Sequence, residues 1–355
     1  MRKVKVSNII GHEVLAKRIF DNDGRILLSE GVKLIPAYID RLESLGIDHI
    51  FIEDEISKGI EPEELILDET RQAGKKAIKE TLQKYINYGN TNLDAVSKCS
   101  NNIIDEILSQ KDVLINITDI RSKDEGIYGH SVNVCALVVI IGTYLGYNML
   151  RLKDVAVGAI MHDFGKLVVI NDMNKKGERN VSMSHSEIFQ KHPRAGYEFL
   201  GKQNTMSVIS KVMVLMHHEN CDGTGFPLGL KKNEIHEVAR LLAICNTFDR
   251  LVSGTESTER MHVYEAIEYL TAMGGSQYDG EIVKKFVENI AVFPSGNGVR
   301  MNSGEKGIVC SQNRSFPTRP VVRLVYNRDG EMLPEPIEVD LSKEMTLFIL
   351  EACDL

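Results

Sequence analysis

Leu215-Met216-His217-His218-Glu219-Asn220-Cys221-Asp222-Gly223-Thr224-Gly225-Phe226-Pro227 closes an apolar helical run with two imidazoles and a carboxylate, then turns through two glycines. Metal-ligand side chains thus leave the core at a helix end, where a loop can shape a cavity. Two histidines in that place can also cap the helix and do nothing more. The rest of the chain decides between these readings, because a metal site between helices draws its ligands from several of them.

Five of the ten histidines, His130, His162, His192, His217 and His218, fall in a region that reads as almost wholly helical. Its apolar runs are Val132 to Leu145, Val155 to Met161, Val208 to Met216 and Val238 to Leu251, and polar ligand types gather near their ends. His162-Asp163 follows one run directly, with Phe164-Gly165-Lys166 next. An adjacent imidazole and carboxylate at a helix end can serve two metals, the carboxylate bridging them. A lysine one turn on suits phosphate recognition. His192 precedes Pro193, so it reads either as a cap before a helical first turn or, beside the other histidines, as a ligand. His130 opens a buried run, where an imidazole must be hydrogen bonded or metal bound. His12 and His49 stand alone and read as structural or surface residues, and His185, His236 and His262 read as surface residues.

At 355 residues and 43% hydrophobic content the chain can bury a sizeable core in two or three domains. A net charge of −8 argues against a nucleic-acid polymer or an anionic membrane as partner, so an anionic substrate has to be met by local positive charge. The six cysteines are scattered without paired spacing and read as reduced thiols of a cytoplasmic protein. The basic start Met1-Arg2-Lys3-Val4-Lys5 has no apolar run behind it, so no signal peptide or anchor is indicated. Val132 to Leu145 carries Asn133 and Thr143 and reads as a buried helix, too short to span a bilayer.

In chain order, residues 1–60 read as a small α+β domain. It has a hairpin turning at Asp21-Asn22-Asp23-Gly24, a helix opened by Pro36 and closed by Gly46, and a strand at His49-Ile50-Phe51-Ile52. Residues 61–112 read as connecting helices, able to pack between domains or against a second copy or a signalling partner. Residues 113–290 form the helical region with the histidines. Residues 291–355 read as a small β-rich module of short β-branched runs between glycine turns, with a brief helical segment near its end.

The order His130, His162-Asp163 with Gly165-Lys166, His192-Pro193, His217-His218-Glu219 and Asp222-Gly223-Thr224-Gly225-Phe226-Pro227 resembles the HD-GYP family over roughly residues 115 to 290. Glu234-Ile235, Ala239-Arg240-Leu241-Leu242 and Phe248-Asp249 also follow that family's pattern. The resemblance implies a mainly α protein built on an all-helical, metal-dependent phosphodiesterase domain. It implies hydrolysis of the bacterial second messenger cyclic di-GMP to pGpG or GMP, with iron or manganese in a centre of two or three ions. Asp163 and Lys166 would be the catalytic residues. His130, His162, Asp163, His192, His217 and His218 would be ligands, with Asn246, Asp249 and Glu125 as further candidates. Lys166, Asp222, Gly223, Gly225, Phe226, Pro227 and Arg194 would meet the substrate.

The chain departs from that family in three places. Phe226 replaces the signature tyrosine, keeping a ring and losing a hydroxyl. Asn246 stands where the family supplies a ligating aspartate, and an amide oxygen is a weaker, neutral donor; Asp249 lies three residues on, on the same helical face. Asp124-Glu125-Gly126-Ile127-Tyr128-Gly129 replaces a tyrosine-threonine pair and keeps Glu125 as a ligand for a third ion. Three functions follow: an active cyclic dinucleotide phosphodiesterase, a weakened receptor for such a nucleotide, or a metal-dependent hydrolase of another phosphate ester.

Overall fold

A helix that is apolar on every side has to be enclosed by other elements. The helix Gly126–Tyr144 is of that kind, since from Gly129 to Gly142 every residue except His130 is buried. The computed structural model describes residues 1–21, 24–62, 64–89, 93–109, 115, 126–175, 185–202, 206–254 and 259–355, and in it this helix is the centre of the molecule. Because it starts at Gly126, before the apolar run at Val132, its length and composition alone would allow it to cross a bilayer; 72% of its apolar window is nevertheless buried inside the protein. Its buried Asn133 is bonded by the Arg71 guanidinium, and Thr143 Oγ1 donates to the Val139 carbonyl at 2.9 Å, so these two polar groups on the helix are satisfied.

The chain begins with strand β1 (Arg2–Lys5), then β2 (Val14–Leu15), β3 (Ile19–Phe20), β4 (Ile26–Leu28), helix α1 (Pro36–Ser44) and β5 (His49–Glu53). β1 and β2 flank β5 in an antiparallel sheet, with Arg2 opposite Ile52 and Val14 opposite Glu53, while β3 and β4 form the expected hairpin. Part of its turn, residues 22 and 23, lies outside the described residues. Val4, Leu15, Leu34, Leu42, Ile50 and Ile52 make a small core of their own. β1 lies within the basic start that had no strand assigned, because three of its four residues are lysine or arginine on an edge and only Val4 is buried.

Helices α2 (Asp68–Tyr88) and α3 (Asp94–Ser109) follow. Ala77, Ile78, Val96, Cys99, Ile103 and Ile104 enter the same core as the central helix, so the stretch expected to connect domains packs into the helical body. The central helix is α4. After it come α5 (Met149–Met161), α6 (Phe164–Lys175), α7 (His185–Gly201), α8 (Val208–Met216), α9 (Glu237–Ser253), α10 (Val263–Met273) and α11 (Gly280–Glu288). α2, α3, α5 and α9 pack directly on α4, and α6, α7 and α8 form a layer reached through α5.

The last part is an antiparallel sheet of β6 (Gly298–Met301), β7 (Lys306–Ser311), β8 (Val321–Tyr326), β9 (Met332–Asp340) and β10 (Ile349–Ala352), in the order β10-β6-β7-β8-β9. Val299, Met301, Val309, Val322 and Leu324 join the main core. The brief helix expected near the end is replaced by turns leading into β10. Arg319 donates to the Leu341, Glu344 and Leu347 carbonyls at 3.1, 3.3 and 3.4 Å and so satisfies backbone groups that a helix would otherwise pair. The two small sheets are tied together: Lys3 N donates to Gly296 O at 2.9 Å, Arg2 Nη1 to Leu355 O at 2.8 Å, and Arg323 Nη1 to Lys58 O at 2.8 Å.

Candidate metal centre

The histidines converge because each sits where a helix meets its neighbour. His130 is in the first turns of α4, His162 closes α5 and Asp163 leads into α6, His192 lies in α7, and His217 caps α8. Three of the imidazoles are held in the same way. Nδ1 of His162 donates to Ala159 O at 2.7 Å, that of His192 to Phe189 O at 2.6 Å, and that of His217 to Val214 O at 2.8 Å. A carbonyl can only accept, so the proton belongs on Nδ1 and each neutral ring turns an Nε2 lone pair inward. His130 is fixed by a carboxylate instead, with Nδ1 at 2.7 Å from Asp249 Oδ2.

The inward nitrogens then meet in pairs. Nε2 of His192 and His217 are 3.0 Å apart, and Nε2 of His162 and His130 are 3.2 Å apart. Two lone pairs at such a distance repel unless a cation lies between them. Asp163 divides its oxygens between the pairs. Oδ1 is 3.2 Å from His192 Nε2 and 3.8 Å from His217 Nε2; Oδ2 is 3.6 Å from His162 Nε2, 3.8 Å from His130 Nε2 and 2.5 Å from Lys166 Nζ. Two groups able to hold a metal result, Asp163 with His192, His217 and His218, and His130 with His162 and Asp163; within each the ligand atoms lie within 4.8 Å of one another.

Protonation states suit ligation. Burial, reinforced by the neighbouring imidazoles, holds His162 and His218 well below the usual range and brings His217 down to about 4, so these rings are neutral near pH 7. Burial would raise the Asp163 carboxyl, but the Lys166 ammonium and the surrounding histidines hold it well below its ordinary value. Three buried atoms here have no hydrogen-bond partner: Asp163 Oδ1, His218 Nε2 and Asn246 Oδ1. Orphaned acceptors are rare in protein interiors, and a cation held by Asp163 and His218 would satisfy two of them. The donor set therefore fits divalent metal ions.

Asn246 and Asp249 lie on one face of α9 and are buried, as the spacing predicts. They are placed differently. Asp249 orients His130, whereas the Asn246 amide oxygen is left open. Glu125 lies outside the described residues. Arg194 is exposed on α7 and is not brought to the cluster, since two residues past His192 a helix presents its opposite side.

The turn after His218 is held by its own residues. Glu219 accepts from Leu228 N at 2.7 Å and Leu230 N at 2.8 Å, so this carboxylate pins the loop and does not join the ligands. Exposed Asp222 accepts from Thr224 N at 2.9 Å and Thr224 Oγ1 at 2.6 Å. Gly223 has φ +87°, and a Cβ on Gly225 would stand 2.3 Å from Asn220 N, so the loop folds back on itself only with glycine there. Phe226 N donates to His218 O at 3.1 Å, and the Phe226–Pro227 bond is cis. The Phe226 ring stacks on His218, with centroids 4.7 Å apart and planes at 14°.

Two residues without a sequence-based assignment complete the mouth. Phe189 lies 4.6 Å from the His218 ring and 5.2 Å from Phe226, and the Arg250 guanidinium sits 5.1 Å over Phe189. Phe189 precedes His192 by three residues and Arg250 follows Asn246 by four, a spacing that puts each on its partner's face of the helix without saying what that face meets. Gly196 was also unassigned. It faces Gly165, where a Cβ would stand 2.0 Å from His192 O, and this close crossing of α6 and α7 brings Asp163 to His192.

The family model described as an HD domain matches residues 112–282, and one described as a KOW domain associated with HD domain matches residues 298–355. The chain is 28% identical over 250 residues to the cyclic di-GMP phosphodiesterase PA4108 of Pseudomonas aeruginosa, covering 69% of this chain and 59% of that protein. It is 28% identical over 165 residues to the cyclic di-GMP phosphodiesterase response regulator RpfG of Xanthomonas campestris, covering 46% of this chain and 43% of the relative. The chain thus spans less than two thirds of the length of these relatives. Among solved structures, Bd1817, an HDG"Y"P protein from Bdellovibrio bacteriovorus, aligns with a TM-score of 0.49 at 18% identity, over 80% of this chain and 97% of that one.

Proposed function

We propose, for a chain whose residues 112–282 are an HD domain of the HD-GYP kind, that it is a metal-dependent phosphodiesterase acting on cyclic di-GMP or a closely related cyclic dinucleotide. The observation that carries this reading is the division of Asp163, whose two oxygens face two separate histidine pairs. A carboxylate so shared is the natural bridge of a two-ion site. His130, His162 and Asp163 would hold one ion, and Asp163, His192, His217 and His218 the other. Imidazole and carboxylate donors without thiolate favour iron or manganese. Bound there, such ions supply an acidified water and offset phosphate charge.

The protein's own groups have definable tasks. Lys166 keeps Asp163 ionised and lies near enough to the cluster to hold a non-bridging phosphate oxygen. Phe226 and Phe189 offer ring faces on which a purine can stack, with Arg250 beside Phe189. Asp222, Gly223, Gly225 and Pro227 shape the turn that brings backbone to the substrate. Curated relatives named as cyclic di-GMP phosphodiesterases support the substrate class. Purified protein loaded with manganese or iron is expected to convert cyclic di-GMP to pGpG or GMP; linear product absent after prolonged incubation would refute the proposal.

The open Asn246 oxygen favours a second reading, a receptor that binds the cyclic dinucleotide with little turnover. Asn246→Asp separates the two. A large gain in turnover identifies the natural site as weakened, and an unchanged rate shows that the amide suffices.

A further inference from the structure

The turn that carries Phe226 is a closed excursion whose base rests on another part of the molecule. Lys232 N donates to Cys221 O at 3.0 Å and Asp222 pairs with Lys231 in an antiparallel bridge, so residues 221–232 leave and return at one point. That point is docked on the connection between α10 and α11. Cys221 N donates to Gln277 O at 2.8 Å, and Lys232 Nζ donates to Asp279 Oδ1 at 3.2 Å. The connection is itself fixed, since Gly275 N donates to Tyr278 O at 2.9 Å and Tyr278 N to Met273 O at 3.1 Å. It also grips α9, the helix that bears Asn246 and Asp249. The hydroxyls of Tyr278 and Thr247, the residue after Asn246, are hydrogen bonded at 2.9 Å, and Arg240 Nη1 donates to Asp279 Oδ2. Asp279 is buried, and its Oδ1 also accepts from Glu281 N at 3.1 Å at the start of α11. Each of its oxygens thus accepts from a cation, one at the base of the turn and one on α9, and such charge-assisted bonds are about twice as strong as neutral ones.

We propose that Asp279 is a positioning residue for the substrate: by holding Lys232 with one oxygen and Arg240 with the other, it locks the Phe226 turn to the helix that bears Asn246 and Asp249. This rests on the phosphodiesterase reading above, in which the Phe226 ring and the backbone of the turn meet the cyclic dinucleotide. The turn meets the nucleotide in the ground state and the transition state alike, so loosening its base weakens both equally and raises KM while kcat stays. Asp279 acts through Lys232 and Arg240, and neither of these belongs to the metal-holding groups. A carboxylate is required for the double grip. An asparagine here offers one acceptor and one donor, so it can keep only one of the two cations.

Hydrogen exchange read by mass spectrometry on the full chain, together with steady-state turnover of cyclic di-GMP by the manganese-loaded protein, tests this in Asp279→Asn and in Lys232→Gln. The Lys232 side chain is half exposed, so its replacement leaves the fold intact and the Arg240–Asp279 pair in place. In both variants the amides of residues 219–232 are expected to exchange about tenfold faster while those of residues 130–144 are unchanged. KM should rise about tenfold with kcat held within about twofold, and metal content should match the parent. Exchange accelerated equally in residues 130–144 would make Asp279 a general stabiliser and overturn the proposal. So would unchanged exchange of the turn in both variants, or a fall in kcat at constant KM. A parent protein that turns over no cyclic di-GMP would refute the phosphodiesterase reading alone, because the exchange result decides the locking of the turn without reference to turnover.

Discussion

At the scale of single residues the account turns on Asp163, because no other carboxylate among the described residues belongs to both metal-holding groups. Asp163→Asn keeps the shape and removes the charge, so both ions should be lost together and turnover should fall on the order of 10³-fold or more. Metal analysis of the purified variant checks this; retention of a full complement would show that the carboxylate does not bridge. Asp249 acts through His130, and Asp249→Asn should lower metal affinity by about 10- to 100-fold without dissolving the other cluster. The histidines were legible in the sequence because their order and their Asp163-Phe164-Gly165-Lys166 context form one extended pattern. Phe189 and Arg250 were not, because a ring or a guanidinium at helical spacing looks the same whether it faces a site or a neighbouring helix. The different tasks of Asn246 and Asp249 were equally hidden, since shared spacing fixes the face of a helix and not the partner across it.

At the scale of elements, the crossing of α6 and α7 sets the distance between Asp163 and His192. Gly165→Ala would drive a Cβ into His192 O and should cost about 1–3 kcal/mol in stability while also weakening metal binding. Thermal melting with and without manganese measures both effects, and an unchanged melting temperature would contradict the crossing as the positioning device. Gly165 was visible as a glycine beside a motif, but its reason lies in α7 and only the packed structure supplies it. The same limit explains two misreadings. β1 has a charged, edge-strand sequence whose partner β5 is nearly fifty residues away, and the end of the chain has helical composition whose backbone groups are claimed by Arg319. The central helix α4 was legible as buried because fourteen-odd residues without an amphipathic pattern have no stable place at a surface (roughly the length of its apolar run).

At the scale of the whole molecule, the C-terminal sheet shares the core of the helical body, the N-terminal sheet keeps its own, and the three meet around a basic cavity beside His49. That cavity joins segments from both ends of the chain, so no local sequence pattern could announce it. It also makes stability depend on acid. The folded state holds His49 at about 3 against an ordinary 6.5, so the unfolded chain takes up the proton first; its contribution is complete above pH 6.5 and is lost as pH falls toward 3. His162, His217 and His218 act with the same sign in metal-free protein. His49→Asn should therefore reduce, and not abolish, the decline in melting temperature between pH 6.5 and pH 4, and an identical decline would place His49 outside this linkage. The central claim, a two-ion phosphodiesterase centre bridged by Asp163, is tested most directly by measuring metal content and cyclic di-GMP turnover on the same purified sample. The account predicts about two iron or manganese ions per chain, as its two clusters require, and linear product that disappears when they are removed; a fully loaded protein that leaves cyclic di-GMP intact would contradict it.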